Sequence, residues 1–384
     1  MMNKTQSNSS LPHISMHPLA RLLARWISVG ALCLPLSPAW AGPVHSDVLT
    51  DTDGEQVRVE AGHASLKKWL LPAQPPAPDD NQSTPARVAL GKALFFDPRL
   101  SGTGQVTCVS CHMPERGWSD GLPTSVRFMG KVMDVASPTI VNLGYNTIFM
   151  WDGRQPSLEK QGMGGQGIKA DINASMNEFG VVEGAHLAAL NKIKGYRAMF
   201  EKAYPGEGIT RETISKALAA FQRSIISNNS PFDRWLKGDK NAMSAQQVRG
   251  FALFIDPNKA QCASCHQAPN FTDNGFHNIG LASFGANNPN MGRFKQKPVA
   301  SMKGAFKTPT LRDVSLTAPY FHDGSALLLK DVVEFYAKGG VVKTNLSPNM
   351  KPITLSDQDK QDLVAFMQAL TTEHPLFRYP VLPQ

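Results

Sequence analysis

Two short motifs carry the chemistry of this chain: Cys108-Val109-Ser110-Cys111-His112 and Cys262-Ala263-Ser264-Cys265-His266. In each, two thiols are spaced to add across the vinyl groups of a haem, and the imidazole that follows reaches the iron. Four of the 5 cysteines lie in these motifs. Paired CxxC motifs of a zinc site stand about 15–20 residues apart, whereas Cys262 follows Cys108 by 154 positions. A dithiol redox pair leaves the histidine after each motif unexplained. The motifs predict two covalently bound c-type haems, one on Cys108, Cys111 and His112 and the other on Cys262, Cys265 and His266.

The elements that must hold these groups repeat along the chain. Gly91-Lys-Ala-Leu-Phe-Phe-Asp-Pro98 and Gly250-Phe-Ala-Leu-Phe-Ile-Asp-Pro257 agree at six of eight positions, and each copy precedes a CxxCH. Duplicated units with one haem motif each imply two similar domains. Ser244 with Gln247 reads as a capping box ahead of Val248, Phe251, Leu253 and Phe254. Thr210 opens a helix with Ile214, Leu218, Phe221 and Ile225 on one face, and Ser356 opens another with Leu363, Phe366 and Leu370. Strand signals are sparse, and Gly/Pro-rich stretches at 121–156 and 269–319 read as loops that wrap the porphyrins. The expected class is mainly α, with two cytochrome c-like haem domains and long loops, at 86–240 and 241–384. A proline-rich lead-in at 42–85 (Pro72, Pro75, Pro76, Pro78, Pro85) precedes them.

Residues 1–41 read as an export signal: Lys4, Arg21 and Arg25, an apolar stretch from Ile27 to Leu36, then Ala39-Trp40-Ala41 as the cleavage site. The fifth cysteine, Cys33, lies inside that stretch. Export agrees with the two motifs, since thioether attachment belongs to the oxidising side of a bacterial membrane, and it predicts a periplasmic protein. Removing three Lys/Arg and no acid lowers the formal charge from +8 to +5. No Lys/Arg cluster of the nucleic-acid-binding kind is present. Nothing after residue 41 is apolar enough to span a membrane. A mildly basic surface suits an acidic redox partner.

Function then turns on the second axial position of each iron, because ligand identity moves the potential over roughly 0.8 V. A carrier closes both positions, and a peroxidase leaves one open. With 15 Met in the chain, composition alone does not decide.

The order of motifs resembles the bacterial di-haem cytochrome c peroxidase/MauG family, over roughly residues 86 to 372. The resemblance runs through Asp97-Pro98-Arg99-Leu100-Ser101, the first CxxCH, Asp120-Gly-Leu-Pro-Thr-Ser125, Ser137-Pro138-Thr139 and Trp151-Asp152-Gly153-Arg154. It continues through the second CxxCH, Lys307-Thr-Pro-Thr-Leu-Arg312 and Leu316-Thr-Ala-Pro-Tyr-Phe-His-Asp-Gly324. It implies that His112 ligates the peroxidatic haem, His266 the low-spin haem, and that Trp151 stands between them. Two departures set the subtype. The loop histidine that closes the first site in the standard peroxidases maps to Phe128, which cannot ligate iron; Met129 and Met133 are nearby. The methionine that caps the second haem maps to Tyr336, as in MauG, whose ligand there is a tyrosine. A phenolate favours ferric and higher states where methionine favours ferrous iron.

For O–O cleavage the resemblance assigns Gln161 and Glu178 as the residues that move the proton, with Asp171 in reserve. It also implies a calcium ion bound partly by the main-chain oxygens of Thr317 and Pro319, although the family's Asn ligand maps to Ala136. The first expectation is a periplasmic di-haem peroxidase that reacts with hydrogen peroxide, reaches a high-valent haem state and takes electrons from a small cytochrome c or cupredoxin. The second is a MauG-like enzyme that oxidises tryptophans of a partner protein to a quinone cofactor. Against it, the family's surface tryptophan before the second CxxCH is Ala260 here. The third is a plain di-haem electron-transfer cytochrome, with two six-coordinate haems and no peroxide reaction. Dimers are common in the family, so the resemblance also implies a homodimer.

Overall fold

A computed structural model of the chain describes residues 48–101, 105–126, 130–161 and 185–384. The export signal, Phe128, Met129, Asp171 and Glu178 lie outside the described residues. The fold is mainly helical, as the sequence predicts, and among the described residues its hydrophobic side chains gather into two large cores and a small cluster of Phe149, Leu158 and Ala219.

The first core is built on α1 (Pro85–Phe95), α2 (Ala185–Lys192), α3 (Lys194–Ala203) and α4 (Arg211–Arg223). Thr84 caps α1 by accepting from Arg87 N, and Pro85 occupies the first turn, where a missing N–H costs nothing. Leu90, Leu94 and Phe95 of α1 meet Ile214, Leu218 and Phe221 of α4, all of them buried. The second core is built on α5 (Pro231–Leu236), α6 (Ala245–Ile255), α7 (Leu329–Ala337) and α8 (Asp357–Ala369). The capping box expected at Ser244 is present: Gln247 N donates to Ser244 Oγ at 3.2 Å, and Ser244 N to Gln247 Oε1 at 2.9 Å. Ser356 caps α8 in the same way, with Asp359 at the third position.

Each core has one close helix crossing. The glycines of the repeat, Gly91 and Gly250, sit where α1 meets α4 and where α6 meets α8. A Cβ there would fall 1.9 Å from Ala217 O or from Asp362 O.

The two ends of the described chain cross over. Strands β1 (Val48–Thr50) and β2 (Gln56–Arg58) form an antiparallel hairpin. Val57, Leu66 and Trp69 then pack into the second core, with the Trp69 ring 5.5 Å from Phe251 and 4.9 Å from Phe271. The segment that reads as a lead-in therefore closes the core of the C-terminal haem motif. Residues 374–384 run the other way, and Phe377 and Leu382 cover the first core. Lys92 Nζ donates to Arg378 O, Arg99 Nη2 to Pro383 O and Gly195 N to Gln384 O, at 2.6, 2.9 and 3.0 Å.

His374 starts that tail, with Nε2 2.6 Å from the buried Asp313 Oδ2. This bond raises the imidazole above its ordinary value. A raised folded-state pKa contributes stability that is complete below the unfolded value of about 6.5 and fades as pH climbs through the folded one. We expect His374→Gln to be destabilised most at acid pH, with the gap to wild type narrowing as pH rises above the unfolded value of about 6.5 and through the raised folded one. Urea unfolding across that range checks it; a gap independent of pH would remove the imidazolium from the account.

Candidate haem centres

Both CxxCH motifs fold into the same turn. A single 3-10 turn spans Cys108–Ser110 and another Cys262–Ser264, and the histidine N–H donates back to the first cysteine carbonyl, at 3.1 Å for His112 and 3.0 Å for His266. Nδ1 of His112 lies 3.1 Å from Trp118 O, and Nδ1 of His266 lies 3.0 Å from Phe271 O. A main-chain carbonyl can only accept, so Nδ1 carries the proton and the Nε2 lone pair is left for iron. Burial lowers both imidazoles below the ordinary histidine value, which keeps them in the neutral, metal-binding form.

The carbonyls that orient the imidazoles are themselves held. Trp118 and Phe271 are non-glycine residues in the left-handed region, at φ 61° and 55°. Such backbone persists only where the surroundings impose it. The preceding carbonyls, Gly117 O and Asn270 O, accept from Thr139 Oγ1 and Thr310 Oγ1 at 2.6 and 2.7 Å. Ser137-Pro138-Thr139 and Thr308-Pro309-Thr310 thus play equivalent parts, one per motif. Burial pushes the Cys108 and Cys262 thiols up to about 12; in the haem-loaded protein these sulfurs are thioethers. The donor set and its supporting bonds fit a c-type haem at each motif.

A mostly apolar cavity opens over the second motif. Cys262, Cys265, His266, Tyr336 and Met350 line it, and it reaches Trp151 and His322. Burial, and then the neighbouring Cys265 and Cys262, raise the Tyr336 phenol. Tyr336 therefore faces the haem space from α7. Met350, on the loop after that helix, faces the same space; sequence spacing alone gave it no prominence. Ala260 also lines this cavity and is buried.

Trp151 stands where the two halves meet. Its Nε1 donates to Ala136 O at 2.9 Å, while Ala136 N donates to His322 O at 2.7 Å. The Trp151 and His322 rings lie 6.3 Å apart, edge to face, and His322 stacks on Phe306. Around each ring the backbone repeats itself: Phe149 pairs with Gln155 and Tyr320 with Ala326. Met150 and Phe321, the residues before the two rings, both have φ 71°. The duplication extends beyond the glycine repeat to these blocks, where few side chains match and the shared backbone is the signal.

Gln161 is fixed from α4, with Gln222 Nε2 donating to its Oε1 at 3.2 Å. Its intended partner Glu178 lies outside the described residues. Met133 is half-buried, and its N–H donates to Ser125 O at 2.8 Å. Thr317 and Pro319 both line the cavity of the second motif. Among the described residues, the one cluster of three metal-type ligands is Cys265, Asp273 and His277. Its cysteine is committed to haem attachment. Asp273 Oδ2 accepts from His277 Nε2 at 2.7 Å and raises that imidazole to about 10.

The family profile for di-haem cytochrome c peroxidase matches residues 85–241, and that for cytochrome c matches residues 247–371. The methylamine utilization protein MauG of Methylorubrum extorquens is 43% identical over 322 residues, covering 83% of this chain and 88% of that protein. The chain belongs to the di-haem cytochrome c peroxidase/MauG family. Within it, the cytochrome c551 peroxidase of Nitrosomonas europaea is 33% identical over 295 residues, covering 77% of this chain and 82% of that protein. A solved MauG-like protein associated with microbial copper homeostasis superposes with a TM-score of 0.72 at 31% identity, covering 81% of this chain and 96% of that chain. This family member is accordingly a di-haem oxidoreductase of the peroxidase/MauG type carrying two c-type haems. Among the described residues, no helix is long and apolar enough to cross a membrane.

Proposed function

We propose that this protein is a periplasmic enzyme that reduces hydrogen peroxide at the His112 haem without prior reduction and draws electrons from a small redox protein. The observation that carries the reading is Tyr336, facing the cavity of the second motif at the position counted from His322. Haem supplies the redox chemistry with peroxide; the protein selects which oxidation states are held. Tyr336, as a tyrosinate held toward a haem on His266, would bias that centre towards ferric and higher states. Trp151, hydrogen-bonded to Ala136 and adjoining the cavity, couples the two centres. Phe128 offers no ligand to close the first site. Gln161 positions peroxide, and Glu178 moves the proton from its near to its far oxygen.

Similarity to MauG over most of both chains favours a second reading, in which the electrons come from tryptophans of a partner protein. Ala260 is buried and offers no outlet at that position. Peroxide titration of the diferric protein, followed by optical and EPR spectra, tests the main reading. An immediate change in the haem bands is expected. A reaction that requires half-reduction first would mean that another residue closes the His112 site, and no reaction at all would leave an electron carrier.

A further inference from the structure

The aromatic side chains around the first motif do not stop at its core. The Phe95 ring centroid lies 6.5 Å from that of His112 and 6.0 Å from that of Trp118. Trp118 meets Phe377 edge-on at 5.2 Å, and Phe377 meets Tyr379 at 5.4 Å and 90°. Phe96 stacks on Phe377 at 5.2 Å and touches Tyr379 at 5.3 Å. The line begins at a buried indole, Trp118 at 8% exposure, and ends at a phenol that is 57% exposed. Trp118 is also the residue whose carbonyl orients His112.

The outer end is built for more than packing. Tyr379 Oη donates to Glu115 Oε1 at 2.7 Å, and Glu115 stands three residues after His112. The bond to the carboxylate raises the phenol. A phenylalanine would cover Phe96 and Phe377 equally well, so the O–H and its acceptor need another reason. A phenol gives up an electron readily only when its proton has somewhere to go, and a carboxylate within hydrogen-bond reach is such an acceptor. Indole and phenol are the two side chains on this line that can be oxidised reversibly; the phenylalanines pack between them.

We propose that Tyr379 is a redox-active surface station of the His112 haem, linked to it through Phe377 and Trp118, where a one-electron donor delivers electrons. The proposal rests on the peroxide reading above. Peroxide takes up two electrons and two protons to give two waters. Each of those electrons leaves the Tyr379 phenol in turn, its O–H bond breaks and the proton passes to Glu115 Oε1, while the two protons that peroxide consumes come from solvent. A donor at this face then returns one electron to Tyr379, and the proton comes back from Glu115.

The test is freeze-quench EPR of the diferric holoprotein mixed with hydrogen peroxide and no donor, with the haem bands recorded on the same samples. Wild type is expected to give a tyrosyl-type radical that is lost in Tyr379→Phe, while the haem bands of that variant still respond to peroxide. Glu115→Gln is expected to slow radical formation by roughly 10²-fold, the low end of what a positioned base contributes. A responsive haem with no tyrosyl radical in wild type, or with the same radical in Tyr379→Phe, overturns the proposal and leaves the peroxide reading standing. Haem bands that ignore peroxide overturn both. Urea midpoints of the variants equal to wild type show that the tail is still docked.

Discussion

Tyr336→Met is expected to raise the midpoint potential of the His266 haem by a few tenths of a volt, within the roughly 0.8 V that axial ligands command. A phenolate oxygen from Tyr336 would be a hard anion that neutralises charge on ferric iron, whereas a thioether sulfur adds no charge and suits ferrous iron. The apolar cavity strengthens the effect, since charge within it is poorly screened by water. The variant should therefore behave as a conventional electron-storing peroxidase, with its second haem readily reduced by mild donors. Spectroelectrochemical titration of wild type and variant reads the shift. A potential unmoved by Tyr336→Met, but moved by Met350→Leu, would assign the axial position to Met350, which shares the cavity.

Gly250→Ala is expected to destabilise the protein by about 3 kcal/mol from overpacking, before ~1 kcal/mol of improved helix propensity is returned. The new Cβ would stand 1.9 Å from Asp362 O, 2.6 Å from Asp362 C and 2.7 Å from Phe366 Cβ. Two of these neighbours are backbone atoms of α8, so no rotamer change relieves the contact, and the helices must move apart. Phe251, Phe254 and Phe366 then lose their packing, and these rings form the wall behind the second haem motif. Gly91→Ala should act alike on α1 and α4, where Ala217 O is equally close. Urea unfolding of the holoprotein measures the loss. A change within ~0.5 kcal/mol, the scale of an ordinary surface substitution, would refute the close crossing as the reason for glycine.

These glycines also show what was legible in the sequence. The repeat that contains them stood out because both copies obey the same two demands, a close helix crossing and an apolar face, and both demands act on side-chain identity. The caps at Thr210, Ser244 and Ser356 were legible for the same reason: local hydrogen bonds fix the residue type. The matching loops around Trp151 and His322 were not, because there the backbone repeats while the ring serves a different purpose in each half. The destination of Trp69 could not be read either. An apolar residue after a polar hairpin announces burial but not which core receives it, and the buried Arg312 that donates to Trp69 O comes 243 positions later. On the site, the motif histidines and cysteines were evident from spacing. Met350 carried no signal, since a methionine in a loop looks the same whether or not it faces a haem.

The exchanged ends bear on how the protein is made. A chain cut near residue 240 would give an N-terminal piece lacking Phe377 and Leu382, and a C-terminal piece lacking Val57, Leu66 and Trp69. Neither piece has a complete core, so neither haem unit is a module that can be exchanged or expressed alone. During synthesis, the face beside Glu115 stays uncovered until residues 377–384 emerge. The first core is therefore completed only when that segment docks, and the tail acts as a latch that shuts last.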